Sequence, residues 1–348
     1  VDFLCAELCV TIHMYDTLRK GDTMQLKDVG EFNFIHSIQD NTIYDPATVV
    51  NGIGDDCAVY KSSIGYDQLI STDTMVEGIH FSFHYMMPYD VGYRLMTANL
   101  SDIAAMGGIP RQVVLSVAAE EYVDTDILQD IYRGIKDQCR RFGVNLIGGD
   151  TVRIKGPKVW TITIIGEVPF GQSVLRSGAK VGDIVGVTNY IGYAATGLAA
   201  LTHSLQGYSM TTIGHQRPNP QIELGIQLRE LGIHSMNDIS DGLSSELWDI
   251  AQASQVAIII DEARVPLHEE TYKLAASLQT NPVDYALYGG EDFQLVFTAP
   301  KSLESSLQDL DGITIIGEVI EGTPSVQAIT KDKTIRTLDG KGYNHFHE

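Results

Sequence analysis

The chain has 348 residues, 44% of them apolar, which is enough for one large domain or two ordinary ones with buried cores. Its 24 Lys and Arg against 45 Asp and Glu give a formal charge of -21, which argues against nucleic acid and anionic membranes as electrostatic partners. No apolar run approaches the roughly twenty residues of a membrane span. Cys5, Cys9, Cys57 and Cys139 form no CxxC pair, so neither a disulfide framework nor structural zinc is indicated and a reducing cytoplasm is expected.

In chain order, residues 1–23 lack the basic start and the small-residue cleavage site of a signal peptide. They read as an extension or a start-site artefact, with the folded part beginning at Met24. A short helix is expected over Glu31–Gln39, then a turn at Asn51-Gly52-Ile53-Gly54-Asp55-Asp56. Strand signals follow at Ala58–Tyr60, Gln68–Thr72 and Gly78–Phe83. Pro88 opens a helix to about Met106, closed by Gly107-Gly108 and Pro110, and Gln112–Ala118 reads as a strand. Asp124 or Thr125 caps a second helix, in which Leu128, Ile131, Ile135, Cys139 and Phe142 recur at helical spacing before Gly143.

Strands at Val144–Ile147 and Val159–Val168 complete a first domain over 24–168, and Pro169-Phe170-Gly171 opens a second over 169–348. There a strand is expected at Asp183–Thr188, a helix at Ala194–Leu205 and a polar loop to Pro220. Helices Ile222–Leu231 and Leu243–Ser254 and strands Ala257–Ile260, Gln294–Thr298 and Ile313–Val319 make this half α+β. No repeat of solenoid period is present.

Five segments set a carboxylate beside glycines or hydroxyls: Gly54-Asp55-Asp56, Ser71-Thr72-Asp73-Thr74, Asn99-Leu100-Ser101-Asp102, Gly148-Gly149-Asp150-Thr151 and Asn237-Asp238-Ile239-Ser240-Asp241-Gly242. One such segment is ordinary turn chemistry. Five suit magnesium, which takes oxygen ligands and binds through one or two carboxylates plus substrate phosphates. Asn99 and Asp102 share a helix face with Leu95 and Met106, where an acid is costly without a partner.

Each residue taken alone has a plainer reading. Asp55 and Asp73 suit turns, Asp56 divides evenly between turn and ligand, and Asp102 could be solvated. Asp241 could cap the helix from Leu243. His80 would usually be packed in a strand, Tyr132 core, Arg176 a surface cation and Tyr343 a pin for the tail. The common nucleotide and nucleophile motifs are missing: there is no GxxxxGK[ST], no GxGxxG and no GxSxG.

These segments, with Gly30-Glu31-Phe32, Met75-Val76-Glu77-Gly78-Ile79-His80-Phe81, Arg176-Ser177-Gly178-Ala179-Lys180, Gly289-Gly290-Glu291-Asp292-Phe293 and Lys341-Gly342-Tyr343, resemble the thiamine-monophosphate kinase family over about Gly30 to Phe346. That family sits in a wider group with aminoimidazole ribonucleotide synthetase, selenophosphate synthetase and a hydrogenase maturation factor. The resemblance implies a two-domain, synthetase-like α+β kinase fold, in which the N-terminal domain forms a barrel across a homodimer beside an α+β C-terminal domain. Matched residue by residue, it implies magnesium ligands at Asp56, Ser71, Thr72, Asp73, Asp102, Asp150, Asp238 and Asp241. It implies ATP contacts at Tyr132, Gly149, Asp150, Arg176 and Ser240, and thiamine-phosphate contacts at His80, Glu291 and Tyr343. Phe293 departs from the family's frequent Tyr, and Thr188-Asn189-Tyr190-Ile191-Gly192 is less glycine-rich than the family loop.

The activity implied is magnesium-dependent, in-line transfer of the ATP γ-phosphoryl group to thiamine monophosphate. A phosphate monoester has a second pKa near 6 and is mostly a dianion at neutral pH, so no general base is expected. Repulsion between two polyanions is the obstacle, and metal ions held by carboxylates meet it. The competing readings are another ATP-dependent synthetase of the group and a non-catalytic nucleotide-binding regulator. The former, where it uses thiol chemistry, wants a reactive terminal cysteine, and the latter has little use for so many acids.

Overall fold

The computed structural model of the chain describes residues 24–29, 34, 37, 38, 40–51, 59–340 and 342. The extension 1–23, most of the expected helix at 31–39, the turn at 52–58 with Asp56, and Tyr343 lie outside them. The first half runs β1 Val49–Asn51, β2 Val59–Tyr60, β3 Tyr66–Val76, α1 Pro88–Ala105, β4 Ile109–Ala119, α2 Thr125–Phe142, β5 Asn145–Arg153 and β6 Val159–Pro169. Strands β3 to β6 form a four-stranded sheet in the order β3-β6-β4-β5, with β4 and β5 parallel and the other pairs antiparallel. A parallel pair needs a long crossover, and α2 supplies it.

Local chemistry sets both long helices. Pro88 stands in the first turn of α1. The Asp124 carboxylate accepts from the Asp126 amide at 2.9 Å to start α2, and Gly143, at φ 67°, ends it in the left-handed region. The helices touch backbone to backbone. A side chain at Gly134 would collide with the Tyr89 carbonyl, and one at Gly92 with the Ile131 carbonyl. Most of α1 is buried on every face, as in the middle of a core.

The second half runs β7 Asp183–Thr188, α3 Tyr193–Thr202, α4 Ser209–Gln216, α5 Ile222–Leu231, β8 Ser235–Asp238, α6 Leu243–Ser254 and β9 Ala257–Asp261. It continues through α7 Glu269–Leu278, α8 Pro282–Leu287, β10 Leu295–Pro300, α9 Glu304–Gln308, β11 Ile313–Ile320, β12 Ser325–Ile329 and β13 Ile335–Leu338. Seven strands pair in the order β13-β12-β9-β11-β7-β10-β8, antiparallel except for β12 with β9.

This sheet is covered on both faces, and β10 shows how. Val296 joins a core with α6 and α8, whereas Leu295, Phe297 and Ala299 join a larger core that contains α1, α2 and the four-stranded sheet. The two halves therefore share one hydrophobic core across their junction.

Several expectations change. Gly78–Phe83 is not extended: 78–80 form a turn closed by a bridge between Glu77 and Phe81. The polar loop to Pro220 contains α4, whose weakly apolar sequence is helical because it packs on α3. There Gly214 meets the Tyr193 ring and Gly197 approaches the Thr211 carbonyl. Helices α7, α8 and α9 and strands β8, β12 and β13 are additional to the elements expected from the sequence. Among the described residues neither large sheet closes on itself, so the barrel expected across a homodimer is not a property of the single chain.

The contact between α1 and α2 gives a stability test. Alanine at position 134 would gain up to about 1 kcal/mol of helix propensity, but it must push apart two packed backbones, an overpacking cost of about 1–3 kcal/mol or more. Gly134→Ala is expected to lower the urea midpoint. An unchanged or higher midpoint would show that the helices are not in direct backbone contact.

Candidate functional site

Strand alternation decides which acids meet. On β3, Ser71 and Asp73 face α1, and the Ser71 hydroxyl donates a short hydrogen bond to the Asp102 carboxylate on that helix. Thr72 and Thr74 point the other way, paired through their hydroxyls with Thr163 at 3.0 Å and Thr161 at 2.9 Å. Asp238 ends β8 of the second sheet and accepts from the Ser101 hydroxyl at 2.8 Å. Asp241 follows three residues later. It does not cap α6, because the cap position is Gly242, at φ 108°. Ser71, Asp73, Asp102, Asp238 and Asp241 are thus gathered from three elements of both halves.

The gathering is electrostatically unfavourable in the bare protein. Burial, and then the charges of Asp102, Asp238 and Asp241, push the Asp73 carboxyl up to about 7. Burial followed by the Asp102 charge does the same for Asp238, also to about 7. Asp102 is raised by burial, against the hydrogen bonds it receives from Ser71 and Asp73. A tight anionic group of this kind fits divalent cations. Among the described residues no three acidic, histidine or cysteine side chains are close enough to hold one ion between them. A cation there would be held by one or two of these carboxylates, with other oxygens completing its shell.

Arg176 stands at the rim with its side chain about half exposed. Its Nε donates to Asn237 Oδ1 at 3.0 Å, Nη1 pairs with Asp249 at 3.0 Å, and its charge acts on Asp102 and Asp238. Ser240 lies between the two acids of its segment, with its hydroxyl 3.5 Å from Glu246 Oε1. Glu246 is not among the residues that the sequence motifs single out. It takes the Asp241 amide at 3.0 Å and a short hydrogen bond from Asn237, and burial and the Asp238 charge raise it to about 8. An acid in the first turn of a helix after Asp-Gly was the available signal.

Other matched residues stand apart from this cluster. Asp150 is in register with Ser116, which is opposite Thr161, and Thr161 is opposite Thr74. Asp150 and Thr72 therefore look out from the open face of the sheet, and a metal contact by Thr72 on the cluster side has to use its main chain. Gly149 approaches the Leu115 carbonyl so closely that a side chain would not fit. Tyr132 is 4% exposed and packs edge-on against Phe34 and Trp160. His80 sits in the turn after β3, where its Nδ1 accepts from the Val76 amide at 3.1 Å. Glu291 pairs with Arg94, a fully buried residue whose role the sequence did not suggest. A separate hollow of about 410 Å³, lined by Ser173, Ser177, Arg229 and His234 among others, holds none of the clustered acids.

The AIR synthase related protein N-terminal domain matches residues 54–168, and the corresponding C-terminal domain matches 180–329. The thiamine-monophosphate kinase of Bacillus subtilis is 41% identical over 327 residues, covering 91% of this chain and 99% of that protein. The solved thiamine-monophosphate kinase of Stenotrophomonas maltophilia superposes with a TM-score of 0.78 at 29% identity, over 90% of this chain and 98% of that one. AaThiL complexed with AMPPCP and TMP gives a TM-score of 0.74 at 29% identity, over 94% and 100%.

The raised carboxyls make a prediction about the metal-free protein. A carboxyl whose pKa is higher folded than unfolded stabilises the fold when protonated, and that contribution is lost as pH rises through about 7. In EDTA the Tm is expected to fall between about pH 5 and about pH 8. Asp73→Asn should flatten the fall and raise Tm at pH 8 by about 2–4 °C, the shift that roughly 1 kcal/mol produces in a domain of ordinary size. Magnesium should close the gap between the two proteins. Parallel Tm profiles for wild type and variant would remove the repulsion account.

Proposed function

The chain belongs to the thiamine-monophosphate kinase family, and from that membership we infer that it transfers the γ-phosphoryl group of ATP to thiamine monophosphate, giving thiamine diphosphate and ADP. The observation that carries the reading is the proximity of Ser71 and Asp73 on β3, Asp102 on α1, and Asp238 and Asp241 at and after the end of β8, within a match that covers 91% of this chain and 99% of a relative of that name. A cytoplasmic setting goes with ATP as co-substrate. Among the described residues no helix is long and apolar enough to cross a membrane.

The reaction opposes two polyanions, and bound magnesium supplies the charge neutralisation that lets them approach. Asp73, Asp102, Asp238 and Asp241, with Asp56 by resemblance, would hold the metal ions, and Ser71 would keep Asp102 oriented through its hydroxyl. Arg176 offers a half-exposed guanidinium to the phosphates of ATP, Ser240 lies in the segment next to it, and Gly149 is a further proposed ATP contact on β5. Asp150 and the main chain of Thr72 would be the remaining metal ligands of the resemblance, and Tyr132 the remaining nucleotide contact, although the side chains of Asp150 and Thr72 face away from the cluster. His80, Glu291 and Tyr343 would receive thiamine phosphate. No side chain is assigned as general base, because the attacking phosphate is already a dianion.

We also propose a homodimer, with the open face of the four-stranded sheet as its interface and the 24–168 and 169–348 domains as its building blocks. Ile70 is 74% exposed there and Val152 46%, beside the threonine pairs. A β-sheet face of this kind asks for a cover.

Incubation with ATP, magnesium and thiamine monophosphate should yield thiamine diphosphate on chromatography. ATP consumption without that product would point to a different acceptor. Asp73→Asn should lower turnover by about 10² or more, since an electrostatic contact to the transition state is lost, while the folded state persists. Near-normal turnover at saturating magnesium would remove Asp73 from the metal set. Sedimentation should give a dimer at assay concentration, and an active monomer would refute the interface.

A further inference from the structure

Arg94 lies on α1 about two turns before Asp102, and none of its side chain reaches solvent. Its Nη1 is 2.8 Å from Nε2 of His215 on α4 and 3.8 Å from the Met86 sulfur, and its Nη2 pairs with the Glu291 carboxylate. Arginine has only donors, so His215 must accept through a ring nitrogen and stay neutral. Burial, then the Arg94 charge, hold the His215 pKa well below its ordinary value. Among the described residues Glu291 is therefore the one carboxylate paired with this buried cation.

The main chain around Glu291 is held as well. The Glu291 amide donates to the Ser240 carbonyl at 2.7 Å, and the Phe293 amide donates to the Ile239 carbonyl at 3.0 Å. Both residues adopt positive φ, 67° and 50°, which non-glycine residues keep only when the surroundings impose it. Between them the buried Asp292 accepts from the amides of Gly192 at 2.6 Å and Ala194 at 2.8 Å, tying the segment to the start of α3. What remains of Glu291 is a side chain that is 31% exposed, carried on main chain that is bonded to Ser240 in the segment bearing Asp238 and Asp241.

We propose that Arg94 is a positioning residue for the acceptor: from the core it fixes the direction of the Glu291 carboxylate, which receives the cationic thiazolium of thiamine phosphate. This rests on the activity inferred above. The planar guanidinium reaches His215 and Glu291 through separate nitrogens, which a lysine ammonium on one flexible stem does not reproduce. Arg94 touches no substrate in this arrangement and acts through Glu291.

The test is a double-mutant cycle on steady-state kinetics, with wild type, Arg94→Met, Glu291→Gln and the double variant in one assay. Arg94→Met is expected to raise KM for thiamine monophosphate about tenfold or more while KM for ATP stays within about twofold. Arg94→Lys should fall between. In the Glu291→Gln background Arg94→Met should add little, because the group it positions is already altered. Equal fold-effects in the two backgrounds, or an unchanged acceptor KM in a folded variant, would overturn the proposal and leave the activity standing. If Arg94→Met does not fold, the cycle with Arg94→Lys decides in the same way. A wild-type protein that makes no thiamine diphosphate would overturn the inferred activity and this proposal together.

Discussion

Burial of α1 on nearly all its faces is the constraint on which the rest of the structure depends. A helix in that position lies between a four-stranded and a seven-stranded sheet and must satisfy any polar side chain it carries without water. It carries several. Thr97 Oγ1 accepts from Gln138 at 2.7 Å, Ser101 donates to Asp238, Asp102 takes the hydroxyl of Ser71, and Arg94 finds His215 and Glu291. Each partner belongs to a different element, so satisfying this one helix fixes how the two sheets approach.

That arrangement has an energetic consequence at the acidic cluster. The apolar core common to both halves brings the half-buried Asp73 and Asp102 close to the buried Asp238, where desolvation opposes ionisation of all three and repulsion adds to it at Asp73 and Asp238. The fold tolerates the acids because packing elsewhere outweighs them. The acidic cluster is thus a local source of instability in the bare protein.

Glu246 and Asp292 show a second layer of the same logic. Neither belongs to the acids aligned with a family role, yet each accepts from main-chain amides that shape the segments presenting Ser240, Asp241 and Glu291. Asp292 is held up to about 7 by burial, against the pull of the amides at Gly192, Tyr193 and Ala194. Such groups decide where the neighbouring side chains point, and substitutions there act at a distance from the reacting atoms.

Much of this was legible in the residues alone. Pro88, Asp124 and Gly143 mark their helix ends through backbone chemistry that acts within a few positions. The five acidic segments carry their identity in local composition. What the residues could not show is which acids meet. Asp73 and Thr72 are neighbours in the chain, but the pleat sends them to opposite faces, and only the register of β3 against β6 and its packing on α1 says which face holds the cluster. Asp241 suited a helix cap by its position, yet the positive φ of Gly242 moves the cap past it. Arg94 has Asp90 four residues before it as a local candidate, but Asp90 pairs with Arg217, and the partners of Arg94 come from positions 215 and 291. Caps and turns depend on a few adjacent torsions and can be read from neighbours, whereas the meeting of distant charges depends on sheet register and shared burial, which exist only once the whole chain has packed.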